Sequence, residues 1–121
     1  MHGLGNFDDE TAQATVEQWL RQGLQFDAIF AGDDEAAMGS ILALNRAGKR
    51  APDDVAVVGF DDVPFAHLTS PKLTTVRAPI EMAGQQAASM LIAMIQGEEV
   101  ERFVLLPTEM VIRQSCGCSS V

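Results

Sequence analysis

Basic residues, long apolar runs and tyrosine are scarce or missing in this sequence of 121 residues. Eight Lys and Arg stand against 17 Asp and Glu, which gives a net charge of −9. Because nucleic-acid binding needs a basic surface to neutralise phosphates, these residues themselves are not expected to bind it. No run of about 18 apolar residues exists to span a bilayer. The amino terminus lacks the features of a signal peptide, so we expect a cytoplasmic protein without membrane contact.

Cysteine is also rare, with Cys116 and Cys118 separated by one glycine near the carboxyl end. A zinc site would need more ligands, and His2 and His67 lack ligand-like spacing. A disulfide between residues two apart would be strained. We therefore expect no cofactor and no metal, and a cysteine tail that is structural or chemically indifferent.

The sequence does contain a repeated pattern in which an apolar run ends in a pair of aspartates. The runs cover 27–32 and 54–60, and the aspartates are Asp33, Asp34, Asp61 and Asp62. The second run is apolar on both faces, as in strands of a parallel sheet covered by helices on both sides. Neighbouring parallel strands place their carboxyl ends at one edge, where ligands bind in open α/β sheets.

Apolar residues at helical spacing predict three helices, each followed by a glycine that ends it. The predicted helices cover 8–22, 35–47 and 80–96. Asp8 or Asp9 is expected to cap the first helix and Asp34 the second, because a side-chain oxygen there can accept the free amides of the first turn.

The sequence also contains three short β-prone pieces. Residues 61–72, between the second apolar run and the first of these pieces, form a long irregular connection. The β-prone pieces are 73–77, 102–106 and 109–113. A strand, a helix and a second strand in succession form a βαβ unit. So few strands cannot cover three apolar helix faces. The predicted fold is therefore α/β, a three-layer lobe with a parallel sheet that is incomplete in this chain.

Carboxylates grouped at one sheet edge are compatible with three kinds of site. Magnesium binds clustered carboxylates, but no glycine-rich phosphate loop accompanies them. Glycosidic hydrolysis uses two carboxylates, but the aromatic lining expected of such a site is missing. Recognition of sugar hydroxyls by ionised carboxylates asks least of the sequence. Asp33 and Asp61, the first polar residues after their strands, are the candidates for this role, and no catalytic residue is predicted.

The other two aspartates have ordinary structural roles available. Asp34 fits a helix cap, and Asp62 precedes a turn in which its side chain can bond nearby backbone amides.

Four segments, in this order, resemble the carboxyl-terminal part of the lac repressor/galactose repressor (LacI/GalR) family. They are AIFAGDDEAAMG at 28–39, APDDVAVVGFDD at 51–62, LTTVR at 73–77 and PTEMVIRQSCGC at 107–118. The resemblance covers about 7–118 and implies the periplasmic-binding-protein-like I fold. It further implies that 1–121 is part of the effector domain, with the DNA-binding head absent. Within it, about 7–73 would belong to the carboxyl-terminal lobe, 74–101 to the crossover and a helix of the other lobe, and 102–118 to the return.

The resemblance also implies roles for individual residues. Asp61 and Phe60 fall in the family's Gly-(Phe/Tyr)-Asp motif, which contacts the effector. Asp33 falls where many members have Asn, also an effector contact, and an acceptor-only side chain there favours a donor such as a hydroxyl. The family's homodimer surface maps to Met38, Leu42, Ala66, His67, Leu68 and Thr69.

The function implied is effector sensing and dimerisation within a DNA-binding transcriptional regulator, without enzymatic activity. The effector would be a sugar or related polyol, and DNA would be contacted only through the missing helix-turn-helix. Two other interpretations remain open: a sugar-binding receptor of a transporter on the same fold, and a magnesium-dependent or phospho-acceptor enzyme that uses the aspartates.

Overall fold

The computed structural model describes residues 1–118 as three α-helices, four β-strands and one short 3₁₀ helix. In chain order the elements are α1 (Asp9–Arg21), β1 (Ala28–Phe30), α2 (Asp34–Arg46), β2 (Ala56–Phe60), the 3₁₀ helix (Pro64–His67), β3 (Thr74–Arg77), α3 (Ile80–Ile95) and β4 (Glu109–Val111). Each predicted helix is confirmed to within one residue at either end, because capping residues, Pro79 before α3 and terminal glycines mark these boundaries locally.

The strands form one sheet in the order β1-β2-β3-β4. β1, β2 and β3 run parallel, and β4 pairs antiparallel with β3. The register aligns Phe30 with Val58, and Val58 with Thr74. The prediction that the two acid-tipped strands are parallel neighbours is therefore confirmed.

Helices α1 and α2 pack closely because a glycine lies where they meet. A side-chain carbon at Gly39 would stand 2.1 Å from the backbone oxygen of Asp9, which is far inside van der Waals contact. At the start of α1, Asp8 accepts a hydrogen bond from the Thr11 amide at 2.6 Å. Of the two expected caps for this helix, the structure selects Asp8.

One apolar core lies between these two helices and the first two strands, and Ala66 and Leu73 from the following segment complete it. It is built mostly from small and branched aliphatic side chains, which allows the close helix spacing. Its members are Ala12, Val16, Ala31, Ala36, Ala37, Ile41, Ala43, Leu44, Val55, Val57, Ala66 and Leu73. Every core residue thus precedes β3, and this part of the chain carries the rigid scaffold.

Helix α3 contributes nothing to that core, since none of its residues is buried. Its predicted apolar face is exposed, as Ile95 illustrates with 77% of its surface accessible. The prediction of a strand at 102–106 is wrong, because a β-prone segment becomes a strand only beside a partner, and the described residues provide none. The prediction that the lobe is incomplete agrees with this uncovered face. Within residues 1–118 no helix is long and apolar enough to cross a membrane.

Candidate functional site at the carboxyl edge of the sheet

The acidic ends of β1 and β2 lie together at one edge of the sheet, as predicted. Because Phe30 aligns with Val58, Asp33 and Asp61 each follow an aligned strand position by three residues. Both aspartates are partly exposed, whereas Asp34 is fully buried. The four carboxylates therefore share an edge but have different environments.

Asp33, and not Asp34, caps α2. The backbone of Asp33 is extended, and its Oδ1 accepts a hydrogen bond from the Ala36 amide at 2.8 Å. The predicted capping role of Asp34 is wrong because Asp34 is already the first helical residue, while a cap must still have non-helical backbone angles. The hydrogen bonds within residues 1–118 use only one carboxylate oxygen of Asp33, so its second oxygen can accept another donor.

Asp34 instead joins α2 to β3 and to the loop after β2. Its Oδ1 accepts from the Thr75 hydroxyl at 2.5 Å, and its Oδ2 accepts from the Val63 amide at 2.8 Å. Burial raises the pKa of Asp34 above its ordinary value, despite these two donors, and the nearby Asp62 and Asp61 raise it further. Asp34 is thus a buried structural carboxyl, shielded from any ligand.

Gly59 makes this buried position possible. A side-chain carbon at Gly59 would lie 2.3 Å from Oδ1 of Asp34 and 3.1 Å from Leu73. The glycine in the middle of β2 therefore allows the start of α2 to approach the sheet.

Asp62 pairs with two arginines: Arg77, the last residue of β3, and Arg113, two residues after β4. Its Oδ1 accepts from Nη2 of Arg113 at 2.6 Å, and its Oδ2 accepts from Nε of Arg77 at 2.7 Å. Burial by itself would raise the pKa of Asp62, but the hydrogen bonds and charges of Arg113 and Arg77 outweigh it and lower the pKa. The expected structural role is therefore met by ion pairs rather than by nearby backbone amides.

Asp61 differs from the other three because its carboxylate accepts no hydrogen bond from the described part of the chain. Its φ is +103°, a strained value for a residue with a side chain, and Asp62 follows with a φ of +59°. Strain of this kind clusters at functional sites, where the surrounding structure supports it. Asp61 also lines a groove of about 560 Å³ between the sheet edge and the start of α3.

The groove contains only part of the predicted site. Asp61 and Asp62 line it together with Arg77 and Glu81, whereas Asp33 and Phe60 do not. Phe60 is partly exposed as the last residue of β2. No group of three or more His, Cys, Asp or Glu in residues 1–118 is placed to hold a metal ion.

This mostly parallel sheet, with aspartates at its carboxyl edge, has counterparts among known proteins. Residues 3–116 match the periplasmic binding protein-like domain family. The lactose operon repressor of Rhizobium radiobacter is 38% identical over 106 residues, which are 88% of this chain and 94% of that protein. The chain belongs to the LacI family of transcriptional regulators.

Two solved structures of LacI-family proteins share its fold. The lac repressor dimer bound to operator and the anti-inducer ONPF has a TM-score of 0.86 at 28% identity, over 90% of this chain and 38% of that one. The complex of the transcriptional regulator CelR with cellobiose has a TM-score of 0.84 at 34% identity, over 90% and 34% respectively. This LacI-family chain therefore spans little more than a third of those proteins. The predicted fold class is confirmed, and the regulator is favoured over the transport receptor and the enzyme.

The predicted dimer surface of this LacI-family chain is only partly accessible. Leu42, His67 and Leu68 are exposed, and Leu68 has 75% of its surface accessible. Met38 is partly buried and packs against the core. The prediction is wrong for the side chain of Ala66, which is fully buried because the 3₁₀ helix turns it into the core.

Thr69, the last residue of the predicted dimer surface, is half-buried. Its hydroxyl lies within hydrogen-bond distance of the carbonyl oxygens of Ala66 and Pro71, at 3.2 and 2.7 Å. Leu42, His67 and Leu68 are therefore the accessible members of that surface.

Sequence reasoning missed the residues that organise the acidic edge, namely Thr75, Arg77 and Arg113. Arg77 and Arg113 are two of only eight cationic residues in a strongly acidic chain, and each lies at or just beyond the end of a short β-strand. Their position at the strand ends could have predicted these ion pairs, because a cation beside a sheet edge lined with carboxylates is attracted to them.

Proposed function

We propose that this chain is the effector-sensing and dimerisation part of a cytoplasmic LacI-type transcriptional regulator. Its effector is a sugar or a related polyol that binds at the carboxyl edge of the sheet. Residues 7–73 and 102–118 then belong to the carboxyl-terminal lobe, and 74–101 to the crossover and a helix of the other lobe. DNA is contacted only by a helix-turn-helix outside this chain, and the chain itself carries no enzymatic activity.

The observation that carries this proposal is the difference between Asp61 and its neighbours. Asp34 and Asp62 are each held by two donors within the chain, and one oxygen of Asp33 caps α2. Asp61 retains its full capacity as an acceptor within the described residues and faces a groove. Ligand hydroxyl groups are donors that fit such a carboxylate.

The neighbouring ion pairs support a ligand role for this edge. Arg113 and Arg77 form ion pairs with Asp62 at 2.6 and 2.7 Å. Because these pairs neutralise Asp62, its charge repels the neighbouring carboxylate of Asp61 less strongly. The free oxygen of Asp33, at the start of α2, adds an acceptor at the same edge of the sheet but outside the groove. Among the related proteins, CelR has been solved with cellobiose, which is consistent with a carbohydrate ligand.

In this proposal, effector binding between the lobes favours one of their two arrangements, and the dimer transmits the choice to the DNA-reading heads. The uncovered face of α3 is then covered by the remainder of the other lobe. A ligand shifts this equilibrium only by its difference in affinity for the two arrangements.

Replacing Asp61 with alanine in the longer regulator tests the proposal. We expect effector affinity to fall by about 1.5–3 kcal/mol, roughly 10- to 150-fold, as for a lost hydrogen bond to a charged group. Isothermal titration with the sugar that releases the parent from its operator measures the change.

The matched control for Asp61→Ala is Asp27→Ala, which removes an exposed aspartate just before β1, at the opposite edge of the sheet. Its affinity should equal that of the parent. Equal affinities of the Asp61 variant and the parent would remove Asp61 from the binding site.

A further inference from the structure

The carboxyl-terminal strap, defined here as residues 113–118, holds β2 and the start of β3 together. Ser115 is fully buried and satisfies both backbone groups of Val57. The Ser115 hydroxyl donates to the Val57 carbonyl at 2.6 Å, and the Val57 amide donates to the Ser115 carbonyl at 2.8 Å. The Thr74 amide donates to the same hydroxyl at 2.9 Å. Ser115, the residue directly before Cys116, is therefore fixed to the sheet.

Cys116 and Cys118 follow at once and fold onto one turn. Gly117 has a φ of +68°, which bends the strap. As a result the Cys118 amide donates to the Sγ of Cys116 at 3.2 Å, and the Cys118 Sγ lies 3.9 Å from the Cys116 carbonyl oxygen. Both thiols are free, Cys116 is half-buried, and Cys118 is exposed. Gly117 and Cys118, the two residues after Cys116, line an open groove of about 720 Å³, through which a small molecule can approach the turn.

The two thiols are chemically unequal. A thiolate is the reactive form of cysteine, and a hydrogen bond donated to sulfur stabilises it. Burial opposes ionisation of Cys116, but hydrogen bonds from Cys118 and Thr74 outweigh it and lower its pKa. The interaction with Cys116, followed by burial, raises the pKa of Cys118. Cys116 is therefore the better nucleophile of the pair.

We infer that Cys116 and Cys118 form a reversible dithiol–disulfide site for low-molecular-weight disulfides, in which Cys116 attacks and Cys118 resolves. The Cys116 thiolate attacks one sulfur of the small disulfide, forms a mixed disulfide and releases one thiolate. Cys118 then loses its proton to solvent and attacks the Cys116 sulfur. This forms the Cys116–Cys118 bond and releases the second small thiolate, so the protein loses two hydrogens and the small disulfide is reduced to two thiols.

The small ring makes this oxidation reversible. A disulfide that spans one intervening residue is strained, and strained, exposed disulfides are the readily reduced ones. The pair therefore remains a dithiol under ordinary reducing conditions and closes only when oxidised small thiols accumulate. Because Ser115 is the adjacent residue, ring closure pulls on the bonds that join Val57 and Thr74, and the oxidised protein should melt at a lower temperature.

The test incubates the reduced chain with excess oxidised glutathione and follows its intact mass. The native sequence should lose two hydrogens and end without an adduct, and dithiothreitol should reverse the change. The Cys118→Ser variant should accumulate one glutathione on Cys116. The Cys116→Ser variant, labelled only at Cys118, should react at least several-fold more slowly. Circular dichroism of each reduced variant verifies that it is folded.

Three results would overturn the inference: two stable glutathione adducts on the native chain, a disulfide between two chains, or equal reaction rates of the two variants. If a variant fails to fold, limiting iodoacetamide on the native chain followed by peptide mapping decides the order. Alkylation mainly at Cys116 supports the assigned roles, and equal or preferential alkylation at Cys118 contradicts them. None of these measurements depends on effector binding, so the inference stands or falls independently of the proposed function.

Discussion

Replacing Asp62 with asparagine tests whether its two arginine partners stabilise the acidic edge as strongly as their geometry indicates. The substitution keeps the shape of the side chain but removes its charge. An asparagine oxygen can accept from one arginine, while its amide group would face the other donor. One of Arg77 and Arg113 therefore loses its partner.

The expected loss in the free energy of unfolding follows from the solvent exposure of Asp62 and its two arginine partners. Breaking a buried ion pair costs about 3–5 kcal/mol. The Asp62 and Arg113 side chains are 9% and 15% exposed, but Arg77 is 50% exposed and can be hydrated. Arg113 also keeps its hydrogen bond to the Leu73 carbonyl at 2.8 Å. We therefore expect the free energy of unfolding at pH 7 to fall by about 2–3 kcal/mol, at or just below the lower limit for a fully buried pair.

The destabilisation caused by Asp62→Asn should disappear in acid. Because the pKa of Asp62 is lowered in the folded state, its contribution to stability is present above the ordinary value of 3.8 and is lost as the pH falls through the folded pKa. Asp34 acts in the opposite direction, since its raised pKa makes ionisation unfavourable as the pH increases. Asp34 is present in both proteins, so its contribution largely cancels from the difference.

Urea unfolding followed by fluorescence of Trp19, the single tryptophan, measures this difference at fixed protein concentration. The matched control is Glu109→Gln. Glu109 pairs with the same Arg77 at 2.7 Å but is 65% exposed, so its replacement should cost less than about 0.5 kcal/mol. A cost for Asp62→Asn that is equal to the control, or one that persists unchanged below pH 3.8, would refute the reasoning.

Three further substitutions test packing, burial and assembly. Gly39→Ala should destabilise the fold by about 1–3 kcal/mol in urea unfolding, because the added carbon meets the Asp9 backbone. Its control, Gly84→Ala in the exposed α3, adds a carbon into open space and should be neutral or slightly stabilising. Asp34→Ala should cost about 2–4 kcal/mol by leaving the Val63 amide and the Thr75 hydroxyl without their acceptor. Asp34→Asn should cost much less, since its oxygen can accept from the Val63 amide while its NH2 donates to the Thr75 hydroxyl, which can also accept; equal costs would contradict this account. Leu68→Glu should weaken dimerisation of the longer regulator at least tenfold by sedimentation, and an unchanged association constant would exclude Leu68 from the interface.

The features predicted well from sequence are those set by nearby residues. Each helix boundary depends on a cap, a proline or a terminal glycine within one turn, and the apolar run that forms β2 depends on its own side chains. The capping assignment failed by a single position, Asp34 for Asp33. Both residues are chemically able to cap, and only backbone angles distinguish them.

The features that sequence could not predict depend on distant partners. Asp62 and Arg113 are 51 residues apart, and Asp34 and Thr75 are 41 apart. No local pattern states that such residues meet, because their approach follows from the sheet order. The same reason explains the failure at 102–106, where a strand would need a partner that the described residues do not supply. The structure was therefore needed to show that Asp61 is the one of the four aspartates whose carboxylate accepts no hydrogen bond within residues 1–118.

The position of Ser115 also has a consequence for synthesis of the protein. Val57 and Ser115 are separated by 58 residues, so a ribosome working at about 5–20 residues per second produces Ser115 roughly 3–12 s after Val57. During that interval one side of β2 has no permanent hydrogen-bond partner at Val57, although the strand itself has been made. An unpaired strand edge invites association with other chains. The nascent protein thus has a defined period in which chaperone binding is most useful, and it ends when the strap is released from the ribosome.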